Sequence, residues 1–164
     1  MKTVTPERLK EVLRYAPETG VLTWRVRKAN RTRIGSQAGH MVGKYMRIEI
    51  DGTTHSVSSV AWAIMTGHWP TSQVDHKDLN QTNNRWGNLR AATVSQNCAN
   101  RRKRSNNTSG VKGVHQLKTN GLWRARIGVN GTRRLLGDFV EKDQAAAAYA
   151  KAANDLFGEF ARIS

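Results

Sequence analysis

Between Gln73 and Asn100 the chain gathers side chains that can handle protons, ions and phosphates: Asp75 beside His76, then Asn88, then Asn97. A carboxylate offers a hard oxygen donor, an imidazole takes up a proton near neutral pH, and side-chain amides orient their neighbours. Neighbouring residues of an extended strand point to opposite sides, so Asp75 and His76 serve one site only at a strand end or twist. Thr93-Val94-Ser95-Gln96 has the form of a capping box, which predicts a helix starting at Thr93 with Asn97 in its first turn. A strand, a loop and a short helix can thus bring Asp75, His76, Asn88 and Asn97 together. Lys77, Asp78, Asn80, Asn83 and Asn84 read as turn formers and phosphate contacts. Cys98 reads as a small filler beside the site, and His55, His68 and His115 as solvated or stacked rings.

Other elements must position these groups. Thr5-Pro6-Glu7 opens a helix, with Thr5 as cap, Pro6 at the first position and Leu9, Val12 and Leu13 on its apolar face. Pro17-Glu18-Thr19-Gly20 is a turn into a strand through Val21, Leu22 and Trp24. Residues 28–43 are basic, Gly-rich and aperiodic, as in a loop. Tyr45, Arg47 and Glu49 alternate with Met46, Ile48 and Ile50 ahead of Asp51-Gly52, the pattern of a hairpin. A helix from Val57 or Ser58 to Met65 ends at Gly67. Toward the C-terminus, strands are expected near Val111 to Gln116, Trp123 to Val129 and Arg133 to Phe139, with Asn130-Gly131 as a turn. An Ala-rich helix follows, its stripe formed by Ala145, Ala148, Tyr149, Ala152, Leu156 and Phe157.

The charge balance narrows the partner. The 164 residues hold 27 Lys and Arg against 12 Asp and Glu, a net charge of +15. No acidic residue occurs between Leu79 and Gly137, and a second acid-free stretch runs from Glu18 to Glu49. A merely solubilising surface intersperses both signs, whereas one-sign stretches of this length attract polyanions. The longest apolar run, Val60 to Met65, is too short to span a bilayer. The first residues lack the apolar core of a signal peptide, and the single cysteine excludes an internal disulfide and a Cys-x-x-Cys zinc site. A cytoplasmic protein acting on nucleic acid, with no membrane partner, is the expectation.

Asp75-His76, Asn88 ahead of Leu89-Arg90, and Gln96-Asn97 together resemble the HNH endonucleases, in the phage homing-endonuclease branch that carries Asn where others have a final His. Tyr15 to Trp24, Ala61-Trp62 and Gly67-His68-Trp69-Pro70 are similar to that branch as well, while Ser58-Ser59-Val60 stands where its members often have His-Arg-Leu. The resemblance implies a ββα-metal fold in which Asp75 and the carbonyl oxygen of Asn97 hold one divalent ion. Such oxygen ligands suit Mg²⁺ or Mn²⁺ rather than zinc. His76 would be the general base and Asn88 would orient its ring. One such site cuts one strand, so nicking is the expected outcome.

Ser109 to Val114, Trp123 to Ile127, Leu136 to Phe139 and Ala147 to Glu159 resemble the plant ethylene-response-factor type of DNA-binding domain, which also occurs in phage endonucleases. The resemblance implies a three-stranded antiparallel sheet laid in the major groove of double-stranded DNA and backed by a helix. Lys112, His115, Trp123, Arg124, Arg126, Arg133 and Arg134 would then be its DNA contacts. Strand alternation puts Arg124 and Arg126 on one face, opposite Ala125 and Ile127, and allows only one of Arg133 and Arg134 to reach a base. Arg101, Arg102 and Arg104, in the basic run with Lys103, would follow phosphates.

The expected fold class is therefore α+β: a ββα-metal HNH module over residues 1–100, with its core motif at 73–100, a basic linker at 101–108, and a small three-stranded sheet on one helix over 109–164. The expected function is that of a monomeric, metal-dependent DNA endonuclease acting in a bacterial host cell, targeted by its C-terminal domain. The alternative is a catalytically inactive DNA-binding regulator.

Overall fold

The computed structural model describes residues 4–28 and 32–163; Arg31 of the basic stretch lies outside them. The chain divides into two compact units, Met1–Ala91 and Ala92–Ser164. The division falls ahead of the basic run at 101–108, so the helix that follows Thr93 belongs with the C-terminal unit.

In the N-terminal unit, α1 (Pro6–Val12) starts where its cap dictates: Thr5 Oγ1 accepts the Arg8 N–H at 3.2 Å, and Pro6 has no N–H to leave unpaired. The helix is shorter than its apolar spacing predicts. Leu13 leaves it to begin β1 (Leu13–Ala16), which pairs antiparallel with β2 (Val21–Trp24) across the Pro17–Gly20 turn. The segment read as a loop over 28–43 contains β3 (His40–Val42), paired with β4 (Tyr45–Ile50). Asp51 and Gly52, both at positive φ (48° and 79°), turn β4 into β5 (Thr53–Ser56). Ile48 and Ile50 are buried while Glu49 is exposed, the expected period of two. Ser56 caps α2 (Val57–Thr66) by accepting the Ser59 N–H, and Gly67 closes it in the left-handed region. β6 (Gln73–His76) pairs with β7 (Leu89–Ala92), and the two enclose the loop at 77–88.

Leu9, Leu13, Leu22, Ile48, Ile50, Val57, Val60 and Leu89 form one buried cluster. Each such side chain contributes about 1.5–3 kcal/mol when taken out of water. Leu89 ties the β6–β7 pair into that core, so the loop it carries has a fixed base.

The C-terminal unit opens with α3 (Val94–Asn100). Its capping box is complete: Thr93 Oγ1 accepts the Gln96 N–H, and Gln96 Oε1 accepts the Thr93 N–H at 2.8 Å. β8 (Val114–Gln116), β9 (Trp123–Val129) and β10 (Thr132–Phe139) form an antiparallel sheet in the order β8-β9-β10, with Asn130-Gly131 as the turn. α4 (Lys142–Phe157) packs on β9 and β10 through Ala145, Tyr149, Ala153 and Phe157. The buried stripe repeats every four residues, which leaves Leu156, expected inside, exposed. Among the described residues, no helix is long and apolar enough to cross a membrane.

His55 on β5 stacks against Trp69, with ring centroids 4.7 Å apart. Its Nε2 is buried and has no hydrogen-bond partner among the described residues. Burial lowers the imidazole pKa below the ordinary 6.5. The neutral ring's contribution is present above that value and is lost as pH falls below it, because the unfolded chain then binds the proton more readily. Urea midpoints measured from pH 7.5 down to pH 5 should therefore drop more steeply for the wild type than for His55→Phe, which keeps the stacking and cannot titrate. Parallel curves would show that His55 is equally solvated in both states.

Candidate functional site

β6 ends at His76, and this resolves the alternation problem. At the strand terminus both Asp75 (5% exposed) and His76 (8% exposed) are buried rather than split between core and solvent. A buried carboxylate needs a counter-charge. Arg90, across on β7, supplies it: Nε donates to Asp75 Oδ2 at 3.0 Å, and the Arg90 side chain is itself only 10% exposed. The sequence shows Arg90 only as the flank of the Asn88 motif and not as the partner of Asp75, because nothing in their spacing reveals that their strands pair.

The loop at 77–88 is held by side-chain amides around Asp78. Asp78 Oδ1 accepts from the Asn80 N–H and from Asn88 Nδ2, and Oδ2 accepts from Asn83 Nδ2 at 2.7 Å. Asn88 Oδ1 takes the Asp78 N–H in return, while its Nδ2 also reaches the Asn83 carbonyl. Burial pushes the Asp78 carboxyl pKa up, but the hydrogen bonds from Asn83, Asn80 and Asn88 together outweigh it and leave the pKa lowered. Lys77 Nζ closes the loop on the Gly87 carbonyl.

The amide that meets the imidazole belongs to Asn84: His76 Nε2 lies 3.1 Å from Asn84 Oδ1. This corrects two expectations. Asn88, expected to orient the ring, instead ties Asp78 to Asn83. Asn84, expected among the turn formers and phosphate contacts, is 2% exposed and faces inward. Its backbone carbonyl accepts from Tyr15 Oη at 2.7 Å, a buried hydroxyl whose pKa is pushed up to about 12 by burial and then by Glu18.

Asn97 lies in the first turn of α3, where its N–H donates to the Thr93 carbonyl. Cys98 beside it is exposed, not a filler. Among the described residues, no group of three or more His, Cys, Asp and Glu side chains could hold an ion by themselves. Asp75 nevertheless suits a hard divalent ion of the kind held by one or two carboxylates with water and phosphate oxygens completing the shell.

In the C-terminal unit the sheet has two faces. Ala125 and Ile127 are buried under α4, and Arg124 and Arg126 lie on the opposite face. The register sets His115 beside Arg124 and Arg133 beside Gly128, so Arg133 shares that face, while Arg134 pairs with Ile127 and does not. A bulge between Leu135 and Gly137 brings Asp138 opposite Arg124, and the two form a bidentate pair, with Arg124 Nε to Asp138 Oδ1 at 2.6 Å. Arg126, Arg133 and His115 line an open groove of about 610 Å³ together with Lys112 and the run Arg101 to Arg104; no acidic residue lines it.

Two of the expected DNA contacts also have partners within the unit. Lys112 Nζ donates to the carbonyls of Ala99 and Arg101 at 2.5 and 2.8 Å, closing the C-terminal end of α3, where a cation is favoured. Trp123 packs against the core under the sheet, with Lys142 Nζ 5.9 Å from its ring centroid.

A family model described as HNH endonuclease matches residues 55–99, the stretch from β5 to α3 that holds Asp75, His76, Asn88 and Asn97. Uncharacterized HNH endonuclease L560 of Acanthamoeba polyphaga mimivirus is 38% identical over 99 residues, covering 60% of this chain and 50% of that protein. Protein 3.8 of Escherichia phage T7 is 31% identical over 105 residues, covering 62% of this chain and 84% of that protein. The chain thus spans half the length of the mimivirus relative and most of the phage one. No solved structure matches it.

Removing one partner of a buried ion pair leaves the other charge uncompensated, at a cost of about 3–5 kcal/mol. Arg90→Leu should lower folding stability by about that much in urea unfolding, and Arg90→Lys by less. An unchanged midpoint in Arg90→Leu would mean that the pair contributes nothing to the fold.

Proposed function

The chain belongs to the HNH endonuclease family, and from that premise we propose that it hydrolyses a phosphodiester bond of double-stranded DNA, nicking one strand per site. The observation that carries this reading is the pair at the end of β6: a buried carboxylate and a buried imidazole adjacent in the chain, the latter fixed by an amide. His76 takes the proton of a water molecule whose oxygen forms the new bond to phosphorus as the bond to the 3′ oxygen breaks. The departing oxygen acquires a proton from solvent, leaving a 3′-hydroxyl and a 5′-phosphate. Asp75 would hold one Mg²⁺ or Mn²⁺, which when bound supplies Lewis-acid stabilisation of charge on the phosphate and the departing oxygen.

In this reading the C-terminal unit chooses the target. Its support is the acid-free groove between Arg101–Arg104 and the sheet face that bears Arg126 and Arg133. Arginine reads guanine bidentately and also holds phosphate, so the two roles are separable by experiment. A DNA-binding regulator without cutting activity is the second reading, and the pairing of Asp75 with Arg90 is what favours it, since the guanidinium already matches the carboxylate's charge.

Supercoiled plasmid incubated with the wild type and Mg²⁺ or Mn²⁺ should be converted to the nicked form, and EDTA should stop it. His76→Ala should lower the rate by about 10² to 10⁴, the usual contribution of a general base. Asp75→Ala should abolish cutting while DNA binding is largely kept. Binding with no cutting under either ion would establish the regulator reading instead.

The groove is tested by salt. Arg126→Ala should cost about 1–3 kcal/mol at one base position if it reads that base, or lower the dependence of log K on log salt by about one if it holds phosphate. Equal slopes for wild type and Arg126→Ala, with no change in preference, would remove Arg126 from the interface.

A further inference from the structure

We propose that Asp138 is the positioning residue of a guanine reader: it holds the Arg124 guanidinium so that the free edge meets one guanine, while Arg126 and Arg133 on the same face hold phosphates. The inference rests on the reading of the C-terminal unit as the part that chooses the target, and adds to it which residue reads a base and what aims it. A guanidinium carries five N–H donors in a planar fork. Asp138 takes two of them, Nε donating to Oδ1 at 2.6 Å and Nη2 to Oδ2. The edge formed by Nη1 and the second hydrogen of Nη2 stays open. It matches O6 and N7, the two acceptors that guanine presents side by side in the major groove. The same edge fits a phosphate, and the carboxylate decides against it. Arg124 and Asp138 together carry no net charge, so a phosphate gains little from Arg124 and is repelled by Asp138, whereas an uncharged base edge needs only the hydrogen bonds.

The strand register is what puts a carboxylate there. In an unbroken ladder beyond the Leu135–Arg126 pair, Leu136 would stand opposite Ala125 and Gly137 opposite Arg124. The bulge adds one residue, so that Gly137 faces Ala125 and Asp138 faces Arg124. Gly137 adopts φ 147°, and a Cβ on it would lie 2.9 Å from the Phe139 ring, so this bulge is fitted to glycine. His115 stands on the other side of Arg124, completing a row across the three strands on the face turned away from α4. Asp138 is the first acidic residue after the stretch that begins at Leu79. A carboxylate on so basic a face weakens its general attraction for a polyanion, and what it provides in exchange is a fork ordered before DNA arrives. Arg126 stands opposite Leu135 and Arg133 opposite Gly128. Neither forms an ion pair among the described residues, so both keep their full charge for the backbone.

The test uses the full chain in EDTA, selecting binders from duplexes with a randomised segment and sequencing the bound pools. Wild type should favour G·C at one position by about fivefold or more, and Arg124→Ala should erase that preference while leaving the other positions as they were. Asp138→Asn, equal in size, should flatten the same position about fivefold or more. It should also bind unrelated duplexes more tightly and steepen the fall of log K with log salt by about one, because Arg124 is then free to hold a phosphate. Asp138→Glu keeps the carboxylate and should restore the preference. Replacing the favoured guanine by 7-deazaguanine, which lacks the N7 acceptor, should weaken wild type about fivefold or more and leave Arg124→Ala unmoved. An unchanged base profile in Asp138→Asn, or a loss in Arg124→Ala spread equally over all positions, overturns the proposal. Wild type that binds duplexes with no preference at any position would instead refute the targeting role of the C-terminal unit; a preference that Arg124→Ala leaves intact would sink the guanine reader alone.

Discussion

The hydrogen bond between His76 and Asn84 is buried, and the elements around it are arranged to keep it so. An imidazole enclosed by protein needs a partner, because an unsatisfied ring nitrogen there costs about 1–3 kcal/mol. The loop at 77–88 has little apolar surface with which to hold its own shape. Its stiffness comes from Asp78 and the amides of Asn83 and Asn88, which pair with one another, and from the β1–β2 turn, which fixes the backbone of Asn84. Leu89 anchors the far end in the core. A polar loop is thereby made as definite as a helix, without being one.

The two buried residues at the strand end answer different demands. Asp75 is a charge in a dry place, and Arg90 balances it. The His76 ring is met by the neutral amide of Asn84 rather than by a carboxylate. The placement of an arginine on one and an asparagine on the other keeps adjacent residues in separate electrostatic environments.

What was legible in the sequence was what local chemistry decides. The Thr5-Pro6 start, the Thr93–Gln96 box, the Gly67 stop and the Asp51-Gly52 and Asn130-Gly131 turns all formed at the residues that signalled them. The alternation of Arg124 and Arg126 against Ala125 and Ile127 was equally direct. Illegible were the short strands β1 and β3, whose few apolar residues carry no period and which are set by the partners they pair with. The same holds for the side chains whose partners lie far along the chain. Asn84 and Asn88 are the same residue type in the same loop, and only the packing of Tyr15 and Gly20 behind one of them separates their roles. That Lys112 also closes the end of α3 could not be read from the sequence, because the carbonyls it meets lie more than ten residues away.

The anchoring of α3 bears on how such chains can be recombined. Its core residue Ala99 belongs to the cluster of the C-terminal sheet and helix; Ser95 bonds to Asn130 at the β9–β10 turn, Lys112 closes its last carbonyls, and Arg162 reaches Asn100. A crossover at the basic run, where composition marks a seam, would deliver this helix to a new host stripped of everything that holds it. Exchange of the C-terminal part between relatives would have to carry α3 along, so that Asn97 is inherited with the sheet rather than with the Asp75-His76 pair.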